Sequence, residues 1–162
     1  MHWEQYLGSA SYDELYLTTC QQRICTPLGC TNYETPCIKS REWTAYFTLE
    51  VDYPDDASDE QQAVIIACAI AATVVAYATA VSVYTVEGPI VGPELAAVRA
   101  SAAAIEACRE TFEFCISGLP PEIKDNVGIA VTHYVEQTFR PTIMCIPPCY
   151  PICYNSSCTW FR

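Results

Sequence analysis

The stretch AVIIACAIAATVVAYATAVSVYTV, residues 63–86, decides how this chain is read, because its twenty-four positions hold no charged side chain. A helix apolar on every side has to be surrounded, since wetting it forfeits about 25 cal/mol for each Å² of apolar surface. The stretch is long enough to cross a bilayer. Its composition argues for protein surroundings instead: it is rich in alanine, carries hydroxyls, has acidic flanks, and no Lys or Arg lies between Arg41 and Arg99 to orient a span. Alanines recur at four-residue spacing (Ala67 and Ala71; Ala72, Ala76 and Ala80), which lets neighbouring backbones approach closely. The expectation is a buried central helix over about 59–86, roughly 40 Å long at 1.5 Å per residue. Its start is marked by Ser58 with Gln61 three residues on, a capping box. The acidic run Asp55, Asp56, Asp59 and Glu60 suits a helix N-terminus, and it lacks the alternating oxygen ligands and central glycine of a calcium loop.

Working outward, Gly88-Pro89 and Gly92-Pro93 predict a break, and Glu94 opens a second helix to about Ser117, ended by Gly118 and Pro120. That helix, about 94–117, is amphipathic. Val98, Ser101, Ile105, Cys108, Phe112 and Cys115 form one stripe, and Arg99, Glu106, Glu110 and Glu113 lie opposite. If the antiparallel hairpin turns near residue 90, Cys68 comes level with about residue 112, so Cys108 and Cys115 both lie within roughly 4.5–6 Å along the axis. The predicted bond is Cys68–Cys115. Upstream, residues 43–53 alternate, with Trp43, Ala45, Phe47, Leu49, Val51 and Tyr53 on one side, and read as a half-buried strand. Downstream, 122–140 fits a third helix or a strand through Val127, Ile129, Val131, His133 and Val135. The preceding prolines and the early Glu122 and Asp125 incline the reading to helix.

The eleven cysteines fall into Cys20, Cys25, Cys30 and Cys37; Cys68, Cys108 and Cys115; and Cys145, Cys149, Cys153 and Cys158. Clusters in turn-rich sequence read as disulfide staples, because such segments bury little apolar surface unaided. No Cys-x-x-Cys occurs and no histidine sits in a cluster, so a zinc or iron–sulfur site is the weaker reading. Disulfides imply an extracellular, cell-surface or spore-surface location, although the first residues show no basic and apolar leader. Asn155-Ser156-Ser157 matches a glycosylation acceptor, a short pattern of little weight. The odd cysteine total leaves a sulfur free, buried, or bonded to another copy.

The expected fold is α+β and mainly α: the buried helix and its amphipathic partner, a third helix, one or more short strands, and irregular stapled termini. A single domain over 1–162 would comprise a Cys-rich segment 1–42 read as mostly loop, a core 43–140, and a Cys-rich segment 141–162. A formal charge of −11 repels nucleic acid. No phosphate loop, nucleophile elbow or paired metal-binding histidine is seen, so no enzyme activity and no cofactor are expected. His133 with Glu136 as orienter is the sole acid–base candidate, and a packed histidine is the better reading. Tyr150, Tyr154, Trp160 and Phe161 mark a candidate contact patch. The functional expectation is a non-enzymatic structural protein that assembles with copies of itself through its Cys-rich ends. The alternative is a membrane-active, pore-forming toxin whose apolar hairpin inserts into lipid, and a metal or redox module ranks third.

Overall fold

A computed structural model describes residues 1–145, 152–154 and 157–159, with side chains described through Thr138 apart from Gln22. In chain order the elements are β1 (His2–Thr26), β2 (Gly29–Asp52), α1 (Asp59–Val91), α2 (Pro93–Cys115), α3 (Pro121–Lys124), β3 (Gly128–Cys145), β4 (Ile152–Tyr154) and β5 (Ser157–Thr159). The large strands form an antiparallel sheet in the order β1-β2-β3, and β4 pairs with β5 through Cys153 opposite Cys158. Strands of 25, 24 and 18 residues stand against long helices of 33 and 23, so the fold is not mainly α.

Two readings produced that error. Residues 1–42 form a β-hairpin rather than a loop, because their cysteines are cross-strand staples: Cys20 bonds Cys37 and Cys25 bonds Cys30. Pro27 and Leu28 are the hairpin turn itself, where the Thr26 hydroxyl accepts from the Leu28 amide at 3.3 Å and donates to the Gly29 carbonyl at 3.2 Å. The third helix shrinks to the single turn α3, and β3 replaces the rest. There the period-two set won: Val127, Ile129, Val131, His133 and Val135 are buried or half-buried, while Ala130, Thr132, Tyr134 and Glu136 are exposed.

Contacts divide the chain into two compact units, Met1–Tyr12 with Trp43–Glu136, and Asp13–Glu42 with the described residues from Gln137 onward. The first holds the core. Ala45, Phe47, Leu49, Val51 and Tyr53 of β2 are buried at period two against Ile65, Ala69, Ala72, Ala76, Ala80 and Tyr84 of α1 and Ala97, Ala100, Ala104 and Phe112 of α2. Three aromatic rings meet at the centre of this layer. Tyr84 lies edge-on to Phe47 with centroids 6.2 Å apart and 5.5 Å from Tyr12, and its hydroxyl donates to the Trp43 carbonyl at 3.0 Å. Burial pushes its phenol far above the ordinary value.

The capping box forms as read: Ser58 accepts from the Gln61 amide at 3.2 Å while the Gln61 side chain accepts from the Ser58 amide at 2.9 Å. The far end of α1 differs. The helix runs through Gly88 and Pro89 to Val91, and only Gly92, at φ 92°, separates it from α2. Pro89 costs one backbone bond near the end of the helix, where few turns remain to be disturbed. Gly88 serves packing instead: a Cβ there would collide with the Tyr12 ring.

In the second unit, Asp13–Glu42 is a two-stranded ribbon closed by its two disulfides. Arg41 makes a fork-like pair with Glu14 at 2.9 and 3.0 Å and lies 4.7 Å from the Tyr16 ring centroid.

Candidate interaction surface

The uncharged stretch is not sheltered on every face, which corrects the expectation on which the sequence reading rested. Only 33% of the most apolar window of α1 is buried. The covered stripe, Ile65, Cys68, Ala69, Ala72, Ala76, Ala80, Tyr84 and Gly88, follows helical spacing and rests on the sheet and α2. The opposite face carries Val64, Ile70 and Val74 to solvent, Val74 being 73% exposed, while Val86 and Ile90 are exposed further round the helix near its C-terminal end. Ala67, Ala71 and Ala78 lie between them, also exposed. Along its edge a groove of about 530 Å³ runs between α1 and β1, lined by Tyr6, Leu7, Ile70, Val74 and Tyr77. Gly8 lets β1 approach there: its φ of +141° and the nearby Tyr77 ring exclude a side chain, and Tyr77 donates to the Ser9 carbonyl at 3.0 Å.

Alpha helix α2 is a different surface. Arg99, Glu106, Glu110 and Glu113 are exposed, as the amphipathic reading expects, and so are Glu94 and Arg109. Its covered stripe is shifted, with Ala97, Ala100 and Ala104 beside Ser101, Cys108 and Phe112, while Val98 and Cys115 are exposed. Cys68 is bonded to Cys115, the partner selected by the hairpin register, and this ties α1 to the charged helix.

The cysteine ledger shifts accordingly. The Cys20, Cys25, Cys30 and Cys37 group closes on itself, and Cys108 is a free, buried thiol. Burial pushes that thiol above its ordinary value, so it stays protonated and inert. With Cys108 as the odd sulfur, an even set remains, Cys145, Cys149, Cys153 and Cys158, whose side chains lie outside the described residues. The candidate patch Tyr150, Trp160 and Phe161 also lies outside them, and Tyr154 is described only as part of β4.

His133 and Glu136 do not meet. Alternation places them on opposite faces of β3: His133 Nδ1 lies 3.1 Å from the buried Ser101 hydroxyl, while Glu136 accepts from Tyr46 at 2.9 Å. That bond raises the Tyr46 phenol above its ordinary value. Tyr46 also stacks on Tyr134 at 6.0 Å and sits 6.5 Å from Tyr6, giving an aromatic row across three strands. Sequence reasoning missed one further group, at the start of β1 and the end of β2. Its signal was available in the alternation, which sets His2 and Glu4, and likewise Glu50 and Asp52, on one side of each strand.

No protein-family model matches this chain, and no curated protein or solved structure does so either.

Proposed function

We propose that this is a non-enzymatic, disulfide-stabilised structural protein of an extracellular or cell- or spore-surface setting, which works by associating with copies of itself. The observation that carries the reading is the bare apolar face of α1. The N-terminal cysteines are satisfied within the chain, so contact between copies is assigned to this face rather than to that segment. A 24-residue helical face is about 36 Å long and, at a diameter of about 10–12 Å, presents roughly 400 Å². Two such faces would bury on the order of 800 Å², and the flanking groove brings the total toward the roughly 1,000 Å² of a specific interface. Exposed alanines allow close helix approach.

Lipid is the competing occupant, and the Cys68–Cys115 bond weighs against it. Inserting α1 would drag α2 with it, and each charged residue at mid-bilayer costs about 2.5–3.5 kcal/mol on insertion scales.

Sedimentation velocity over about 1–100 µM protein tests the reading. The wild type is expected to associate, more tightly as salt screens the −11 charge on each copy. Ile70→Glu/Val74→Glu is expected to be monomeric with unchanged thermal stability, because both positions are exposed in the isolated chain. A wild type that stays monomeric throughout overturns the proposal, and flotation of that monomer with liposomes would support the membrane alternative.

A further inference from the structure

His2 and Glu4 project from one face of β1, and Glu50 and Asp52 from the same face of β2, so four ligand-type side chains share one patch. The strands beneath are pinned together: Tyr53 donates to the Met1 carbonyl at 2.9 Å, and the Met1 amine donates back to the Tyr53 carbonyl at 2.6 Å. One donor atom each from His2, Glu4 and Glu50 lies within 4.8 Å of the others. The imidazole sets this group apart from the nearby acidic run at Asp55–Glu60, which offers oxygen alone.

The orientation of the ring matters most. His2 Nδ1 lies 2.7 Å from the Asp52 carboxylate, so Nδ1 carries the proton and donates it. In the neutral ring the lone pair is then on Nε2, which faces Glu4 Oε2 at 3.7 Å. A carboxylate fixing the far nitrogen of a ligating histidine is the recurring outer shell of zinc sites. A tetrahedron with bonds of about 2.0–2.1 Å has edges of roughly 3.3 Å, so the Nε2 to Oε2 separation needs to contract by only about 0.4 Å. Glu4 is exposed and Glu50 half-buried; the Glu50 oxygen, within 4.8 Å of the other two donors, has at most about 1.5 Å to close to reach the same edge length. A divalent ion would also relieve the repulsion between the two converging carboxylates, Glu4 and Glu50, in a chain whose net charge is −11.

We propose that His2, Glu4 and Glu50 bind a divalent transition metal of the Zn2+ type, with water completing the shell and Asp52 holding the His2 ring in its ligating tautomer. Nitrogen plus two carboxylate oxygens suits Zn2+ better than Ca2+, which takes oxygen ligands only.

The test is calorimetric titration of ZnCl2 into the disulfide-intact full chain, with Co2+ absorption as a second readout. One ion per chain is expected. His2→Ala is expected to lose binding, Glu50→Gln to weaken it at least tenfold, and Asp52→Asn to weaken it by about 10–100-fold while leaving all three ligands in place. His2 and Asp52 are exposed and Glu50 is half-buried, and unchanged far-UV circular dichroism verifies that the variants fold. No heat of binding up to about 1 mM Zn2+ overturns the proposal. So does binding that survives His2→Ala, or a Co2+ spectrum with the intense bands of sulfur ligation.

Discussion

Breaking the bond between α1 and α2 by Cys68→Ala/Cys115→Ala is the most quantitative perturbation the fold offers. The two sulfurs are 47 positions apart, so the bond closes a loop of 48 residues. The chain-entropy expression gives about 13.6 cal/mol/K for that loop, or about 4 kcal/mol at 25 °C. The same expression gives about 3 kcal/mol for Cys20–Cys37, separated by 17, and about 2 kcal/mol for Cys25–Cys30, separated by 5. Urea denaturation of the double variant should therefore show a loss of about 4 kcal/mol. For a chain of this size, at about 2–4 °C per kcal/mol, melting should fall by about 8–16 °C. Cys25→Ala/Cys30→Ala, measured in parallel, should lose about half as much. A loss below about 1 kcal/mol for the long loop, or a reversed order of the two variants, would refute the reasoning. Either result would mean that the unfolded chain gains little freedom from the cut.

Cys108 should resist iodoacetamide in the native protein and react once urea unfolds it, as peptide mapping would show; labelling under native conditions contradicts its burial. Tyr84→Phe removes the donor to the Trp43 carbonyl within the core and should cost about 1–3 kcal/mol by chemical denaturation. Gly88→Ala sets a helix-propensity gain of about 1 kcal/mol against an overpacking cost of about 1–3 kcal/mol at the Tyr12 ring. The ring is held against Tyr84, so a net loss of stability is expected, and a stabilised variant would show that Tyr12 moves aside. His2 should titrate above its ordinary 6.5, because the hydrogen bond to Asp52 favours the imidazolium. That contribution is fully present below the unfolded-state value and is lost as pH rises through the folded one. NMR titration with a chelator present should place the midpoint above 6.5 in the wild type and lower it in Asp52→Asn.

What the sequence revealed, and what it hid, follows from how local each signal was. Ser58 and Gln61 are three residues apart, so the start of α1 was readable from one turn of chain. The alternation from Ala45 to Tyr53 likewise specified both a strand and the face it buries. Cys68 could be brought level with Cys108 and Cys115 because a helical hairpin converts sequence position into height along an axis, and Cys115 is its partner. The N-terminal ribbon was hidden because Cys20, Cys25, Cys30 and Cys37 sit among Pro and Gly, and only pairing across strands distinguishes staples from loop cysteines. Residues 127–135 carry both periodicities at once, and pairing with β2, absent from any local window, decided for strand. For α1, an uncharged surface on every side gave no hint of which side the sheet would cover. The interaction surface and the metal patch share that difficulty: His2 and Asp52 are fifty positions apart, and only the closing of β1 on β2 brings them into contact.

The exposed turn at Pro27-Leu28 sits between Cys25 and Cys30, and the Leu28 side chain is fully solvent-accessible. A peptidase in the surroundings would find this corner before any other part of the ribbon. Cutting there would separate nothing, since two sulfur bonds still join the severed strands. The damage would be seen only on a gel run with reductant, because the nicked chain stays one covalent molecule.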